Sequence, residues 1–408
     1  MRALVLGYGR SGKAAETLLC RSGFRATVLD GDAAFPDGDF DVAVVSPGIA
    51  LTHPWVVEAK RRGISLKSEL QLGCEELKRQ GWKLLAVTGS KGKSSVVKVV
   101  ADAINLAGMK AVACGNYGVP VCEVALEDGR RETEDGKEHW AVVEVSSFMM
   151  ETTELPSDTF TAAAILNLQE DHLDRHGSVE TYHGLKRKLL AMAKAGYCGA
   201  VPAARIEAND AALWTGSYFD NEILAGNAAI AVGLMRVAGL DDGMIARAFR
   251  EFEPLPHRMN LVAEIGGVRF IDDSKATSLA ALIAGVKMAS STPVPCSLFP
   301  VPSILLIAGG LPKGDDPKTA LSALTERVKK VYLIGQSAKA FFAAWNSAVD
   351  CEICGTMERA VEKVRREAEK GETVLLSPGT ASFDQFKSYG ERGDVFARLV
   401  KEKDNLNE

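Results

Sequence analysis

Short apolar runs, each followed by a loop rich in glycine, serine or lysine and then by a helical pattern, recur almost from end to end of this chain. Ala3–Leu6, Ala26–Leu29, Val42–Ser46, Leu84–Thr88 and Ala162–Leu166 read as strands. So do Val268–Ile271, Ile304–Ala308, Val331–Ile334 and Val374–Ser377. Lys13–Ser22, Pro54–Arg62, Thr319–Lys329 and Thr356–Lys370 read as helices, the first two closed by Gly23 and Gly63. Apolar strands alternating with helices imply parallel sheets covered on both faces, the α/β class. At ~150 residues per domain a chain of this length holds two or three domains. New strand–loop–helix units start after the polar stretch Lys78–Lys83 and after Pro254–Arg258, which predicts domains at 1–83, 84–254 and 255–408.

Composition narrows the function classes. Lys and Arg total 48 against 53 Asp and Glu, a net charge of −5, which suits neither nucleic-acid wrapping nor an acidic membrane surface. No uncharged apolar stretch reaches the ~20 residues of a membrane span. The N-terminal apolar run is broken at once by Gly7, Tyr8, Arg10 and Ser11, so it reads as a strand and not as a signal peptide. The expectation is a cytoplasmic enzyme. Of eight cysteines, only Cys351 and Cys354 are spaced CxxC. They offer two of the four ligands zinc requires, so the cysteines read as reduced thiols.

Five groups of residues carry chemistry. Gly7-Tyr8-Gly9-Arg10-Ser11-Gly12 lies between a strand and a helix, with Asp30 closing the next strand, a pattern that places a phosphate at a helix N-terminus and a carboxylate near a ribose. Gly89-Ser90-Lys91-Gly92-Lys93-Ser94-Ser95 is a shortened P-loop. Its amides cradle phosphates, Lys93 reaches the terminal ones and Ser94 ligates Mg²⁺. Glu144 ends one apolar strand, and Asn167–Asp174 follows another and contains His172; at the ends of neighbouring strands both would face that loop. From Tyr182, a stripe of Leu185, Leu189, Met192 and Ala193 marks a buried helix face, and Lys186 falls on it, where a lysine needs a partner or a modification. In the last third, Asp272–Ser278 (preceded by Pro256-His257-Arg258), Ala308–Gly314 and Ser377–Gly393 each follow an apolar strand, so they should meet at one sheet edge.

These motifs together resemble the Mur ligase family, from Gly7 to about Arg398. The residues that carry the resemblance are TGSKGKSS, GNYG at Gly115–Gly118, EVSSF at Glu144–Phe148, NLQEDHLDRH at Asn167–His176, PHR, DDSKAT and SPGTASFDQFKSYGERG at Ser377–Gly393. The last, with SPGIA at Ser46–Ala50, points to the branch that adds D-glutamate. The resemblance implies a Rossmann-like N-terminal domain, a P-loop ATPase-like central domain and a Rossmann-like C-terminal domain. It implies an ATP-dependent amide ligase in peptidoglycan precursor synthesis, joining D-glutamate to UDP-N-acetylmuramoyl-L-alanine through an acyl phosphate, as a monomer.

By the same resemblance Arg10, Ser11, Asp30 and Gly48 would hold the UDP end and Asn116 the muramoyl-alanine part. Gly89, Ser90, Lys91, Gly92, Lys93, Ser94 and Ser95 would hold ATP phosphates, with Asn227 on adenine and Arg258 and Asp273 on ribose and phosphates. Ser94 and Glu144 would share one Mg²⁺; His172 and a carbamylated Lys186 would hold a second. Thr277, Lys313, Ser382 and Phe383 would receive D-glutamate, and Lys275 would stabilise the phosphoryl group in transit. The chain departs from the family in three places. Lys91 replaces the usual Asn or Thr, the stretch from Lys186 to Asn227 is short, and Ile223 and Leu224 stand where a His-Asn pair precedes the adenine asparagine. Two other readings follow from the same residues: a NAD-dependent oxidoreductase built on the first glycine loop, and a catalytically weakened, regulatory nucleotide-binding relative.

Overall fold

The structure, a computed structural model, describes residues 1–127, 138–198, 208–290 and 303–402. It divides into two compact units, Met1–Asp220 with Leu224–Phe252, and Asn221–Ile223 with Glu253–Glu408. The first unit holds two parallel sheets. One comprises β1 (Arg2–Leu6), β2 (Arg25–Leu29), β3 (Val42–Val45) and β4 (Ser65–Ser68) in the order 2-1-3-4. The other comprises β5 (Lys83–Thr88), β6 (Lys110–Gly115), β7 (His139–Glu144), β8 (Phe160–Ile165) and β9 (Ala193–Cys198) in the order 6-7-5-8-9. The second unit is built on β10 (Asn260–Ile265), β11 (Val268–Asp272), β12 (Ile304–Gly309), β13 (Val328–Ile334), β14 (Asp350–Gly355) and β15 (Thr373–Leu376). Their order is 10-11-15-12-13-14, and β10 alone runs antiparallel, at the edge. Central strands such as β1, β5 and β12 are buried along almost their whole length, which is why they read as unbroken apolar runs.

The three sheets fall in the three predicted stretches, yet the first two share one core. Leu70, Cys74 and Leu77, spaced i, i+4 and i+7 on the helix Glu69–Arg79, are buried together with Ala3 and Val5 of β1 and with Leu84 and Ala86 of β5. That helix and β4 were not read from the sequence, because Ser65–Ser68 is short and polar.

Several predicted helices end early: Thr356–Lys370 stops at Glu367, and two others give way to strands. The Tyr182 stripe is helical only over Val179–Lys188; Leu189–Met192 tightens to a 3₁₀ turn, and Ala193 opens β9, paired with Phe160. Thr319–Lys329 becomes a 3₁₀ turn at Pro317–Ala320 and a helix at Leu321–Arg327, and Lys329 lies in β13. A strand paired on both sides, carrying Val328, Val331 and Leu333, overrides the helix preference of two lysines. The charged, glycine-containing stretch 128–139 and the stretch 290–303 with its four prolines both read from sequence as surface loops, and both fall almost wholly outside the described residues. Cys351 and Cys354 lie on edge strand β14, and burial pushes both thiols up to about 11.

Glu69 is the sharpest cost inside the first unit's core. It is 1% exposed; Oε1 accepts the Cys122 amide at 2.6 Å and Oε2 has no partner. Burial pushes its carboxyl from 4.5 up to about 7. The folded state then holds a proton that the unfolded chain releases, so stability is highest below 4.5 and declines as pH rises towards about 7. We expect Glu69→Gln to lessen the fall seen by urea unfolding across that window by about 3 kcal/mol, while Asp273, also pushed up to about 7, keeps its own share. An unchanged slope in the variant would assign the pH dependence elsewhere.

Candidate active site

The order 6-7-5-8-9 makes β5 the point from which connections leave in opposite directions, and ligands in such sheets sit beyond the carboxyl ends of the strands there. The sequence reading placed Glu144 and His172 at the ends of neighbouring strands. Glu144 ends β7 and His172 follows β8, and the two strands flank β5 instead of adjoining each other. The P-loop after β5 therefore lies between them.

The loop's shape follows from its glycines and its clamps. Gly92 has φ 84°, and a Cβ there would stand 2.2 Å from Asn227 Nδ2, so only glycine allows the helix Lys93–Leu106 to start this close to Asn227. Asn167 holds Lys91 from both sides, its Oδ1 accepting the Lys91 amide at 2.8 Å and its Nδ2 donating to the Lys91 carbonyl at 3.0 Å. Ser90 Oγ donates to the Gln169 carbonyl at 3.0 Å and lies 3.2 Å from the Tyr182 hydroxyl. Lys91 itself is exposed, while Lys93 Nζ folds back to donate to Gly89 O at 2.8 Å.

Lys186 donates to that same Gly89 carbonyl, at 3.0 Å, from a position only 2% exposed, with Nζ 4.5 Å from the Tyr182 ring centre. Burial first and the Lys93 charge second pull its pKa down to about 7, against the attraction of Asp171 and Glu144. Two ammonium groups thus converge on one carbonyl in a loop shaped for phosphates. His172 is reached through Tyr182, with its ring 6.2 Å from Tyr182 and 4.8 Å from Phe148; it is exposed and held at φ 53°.

The residues fit a magnesium-bound phosphate. Glu144 Oε1 accepts Asn116 Nδ2 at 2.7 Å, whereas Oε2 is buried with no hydrogen-bond partner, an orphaned acceptor on a side chain that attracts the Lys186 ammonium. Among the described residues no group of three His, Cys, Asp or Glu is arranged to hold a metal alone. A hard cation here would draw on Glu144, the Ser94 hydroxyl and phosphate oxygens, as Mg²⁺ ordinarily does.

At the first sheet, Asp30 is exposed and its Oδ1 accepts the Tyr8 amide at 3.2 Å, while Ser46 Oγ donates to Gly7 O at 2.8 Å, joining the two predicted loops. Ser11 is half-buried and Gly48 exposed beside them. Arg10 is committed: Nη2 and Nε grip Glu123 at 2.8 and 3.1 Å. Arg175, which the sequence reading left unassigned, pairs with Glu151 at 2.7 Å and donates to Ile49 O at 2.8 Å, fastening the Gly48 loop to the His172 turn.

In the second unit the three predicted loops do meet. Leu311 bridges to Ala381, Gly379 donates to Ala276 O, and Arg392, fully buried, donates to Ser274 O at 2.9 Å and Thr380 O at 3.2 Å. Thr277, Lys313, Ser382 and Phe383 are therefore carried on linked loops, Ser382 buried, Phe383 69% exposed and Lys313 exposed. Asp273 is buried, bonded to Ser377 Oγ at 2.9 Å and pushed up to about 7 by desolvation; Arg258 lies close enough to oppose that shift. Lys275 Nζ stands 3.7 Å over the Tyr389 ring.

Comparison with known proteins decides the family. Residues 87–214 match the Mur ligase middle domain, and residues 257–379 match the Mur ligase glutamate ligase domain. A UDP-N-acetylmuramoylalanine–D-glutamate ligase from Nitratidesulfovibrio vulgaris is 34% identical over 98% of this chain and 96% of its own. The chain belongs to the Mur ligase family. Relatives of the same description from Gloeobacter violaceus and Chlamydia caviae are 33% and 30% identical, covering 97% and 99% of the chain and 98% and 99% of their own. The fold is shared with UDP-N-acetylmuramate-alanine ligase MurC of Thermotoga maritima, at TM-score 0.56 and 14% identity over 98% of both chains. It is shared too with Thermotoga maritima MurF ligase, solved in complex with ADP, at TM-score 0.56 and 16% identity over 88% of this chain and 94% of that one. These relatives give no support to the oxidoreductase or regulatory readings. No helix among the described residues is long and apolar enough to cross a membrane.

Proposed function

We propose that this Mur ligase joins D-glutamate to UDP-N-acetylmuramoyl-L-alanine at the expense of ATP, as a cytoplasmic monomer in peptidoglycan precursor synthesis. The observation that carries the reading is the 34% identity, nearly end to end, to an enzyme described by that activity. The geometry supports it. Lys93 and the amides from Gly89 to Ser95 cradle the ATP phosphates, Asn227 sits against the loop to meet the base, and Arg258 and Asp273 serve the ribose and phosphates. The γ-phosphoryl passes to the alanyl carboxylate, with Lys275 countering its charge. Bringing two anions together requires positive charge of the kind Lys93 supplies at the phosphates. Mg²⁺ bound by Ser94 and Glu144, and by His172 with a carbamylated Lys186, would neutralise phosphate charge and orient the reacting oxygens.

Arg10, Ser11, Asp30, Gly48 and Asn116 serve the UDP substrate, while Thr277, Lys313, Ser382 and Phe383 serve D-glutamate. The two sets lie in separate units, so single substitutions should separate the substrates. Losing one hydrogen bond to a charged ligand costs about 1.5–3 kcal/mol, or ~10–100-fold in affinity. Asp30→Ala should raise KM for the UDP substrate by that factor and leave KM for D-glutamate unchanged, and Ser382→Ala should do the reverse. Initial rates of phosphate release measure both. A common effect on one substrate would defeat the assignment.

A further inference from the structure

We infer that His257, oriented by Asp272, is the base that takes the proton from the attacking amine; this rests on the ligase reading above. An amino acid arrives as an ammonium ion, whose nitrogen has no free electron pair. A proton must leave before the carbon–nitrogen bond can form, and the residues proposed above for D-glutamate include no carboxylate or imidazole to take it.

The second unit contains an imidazole prepared for that task. His257 Nδ1 lies 2.7 Å from Asp272 Oδ2, and Asp272 Oδ1 accepts the Ser274 amide at 2.8 Å. An ionised carboxylate only accepts, so Nδ1 carries the hydrogen and the lone pair is left on Nε2. The residue is held at φ 60° and Met259 at φ 51°, left-handed conformations that strain non-glycine residues. The surroundings enforce them: the Lys275 amide donates to the His257 carbonyl at 3.0 Å, and the Arg258 amide donates to Asn260 Oδ1 at 2.9 Å. Gly393 permits the helix Tyr389–Lys401 to close over the pair, since a Cβ there would stand 2.2 Å from Nδ1.

The electrostatics suit proton uptake. The charged groups facing the ring are Asp272 from β11 and Asp394 from the final helix, with Oδ1 3.8 Å from Nε2. Lys275 is displaced onto the far partner, its Nζ over the Tyr389 ring, whose centre is 6.2 Å from that of His257. The dyad also belongs to the loop cluster proposed for D-glutamate, because Ser274, next to Lys275, is tied through Arg392 to Thr380 and to Ala381 beside Ser382.

In the step, one ammonium proton moves to His257 Nε2. The freed pair forms the carbon–nitrogen bond at the acyl carbon, the bond from that carbon to the bridging phosphate oxygen breaks, and phosphate leaves with its electron pair. The second proton passes from the new amide nitrogen to the departing phosphate. Asp272 is a positioning residue here.

Hydroxylamine tests this, since near neutral pH it is largely unprotonated and attacks acyl phosphates without a base. With UDP-N-acetylmuramoyl-L-alanine and ATP, phosphate release is measured with D-glutamate and, separately, with hydroxylamine. We expect His257→Gln and Asp272→Asn to lower the D-glutamate rate by ~10²-fold or more, and the hydroxylamine rate by less than about threefold. Retained hydroxylamine turnover shows that each variant is folded and still forms the acyl phosphate. Equal losses with both nucleophiles, or no loss with D-glutamate, would overturn the role. Failure of the unsubstituted protein to release phosphate with either nucleophile would overturn the ligase reading and the inference with it.

Discussion

Lys93→Ala should lower the rate of ATP-dependent phosphate release by ~10²–10³-fold, the equivalent of roughly 3–4 kcal/mol of transition-state stabilisation. Lys93 opens the helix Lys93–Leu106 directly after the left-handed Gly92, so its ammonium stands where amides and helix dipole already favour an anion. It bonds to Gly89 O at 2.8 Å and Ser90 O at 3.4 Å, contacts that hold the side chain over the loop. The variant should melt close to the unsubstituted protein, because the loop's shape rests on Gly92, Asn167 and Ser90. Removing Lys93 also removes the second cause of the low Lys186 pKa, so that amine should become more basic. Phosphate release at the unsubstituted rate would end the P-loop assignment.

Lys186→Ala should cost ~10²-fold or more in turnover, with partial recovery on adding acetate or another small carboxylate. The reason is burial. Burial and the Lys93 charge pull the pKa of this 2% exposed ammonium down to about 7, and the neutral amine can take up CO₂, as the carbamate proposed above requires. A carbamate would replace a cation that repels Mg²⁺ with an oxygen ligand for it. The alanine variant leaves a space that a carboxylate can fill, whereas Lys186→Arg fills it with a permanent cation and should not be rescued. The pH dependence has a definite sign. At fixed bicarbonate, activity should decline as pH falls through about 7, because protonation removes the reactive amine. Full turnover of Lys186→Ala at low Mg²⁺ would refute the carbamate role.

Much of the site was legible because its signals are local. A strand, a Gly-Lys-Ser turn and a helix follow one another in sequence, and Lys186 betrays itself by falling on the stripe of Tyr182 and Leu189. His257 and Asp272 are 15 residues apart on different elements, and only the approach of β11 and the Gly393 helix makes them a pair. Arg392 sits in a motif quoted from the sequence, but nothing there shows a guanidinium with no exposed surface joining two loops, its pKa lowered to about 10 by desolvation.

The sequence by itself determined the α/β alternation, the inner strands of the three sheets and the loops of the candidate site, since apolar runs and turn residues act within a few positions. Tertiary structure decided what depends on pairing and on shared burial. It placed β5 between β7 and β8, so that Glu144 and the His172 turn flank the P-loop. It ended the Lys186 helix at Lys188, because β9 needed Ala193 onwards to pair with β8. It joined the first two sheets through one core, leaving the Glu69 carboxyl buried with one oxygen unpaired. Hydrogen-bond partners and the loss of water are set by elements distant along the chain, and no local pattern of residues encodes them.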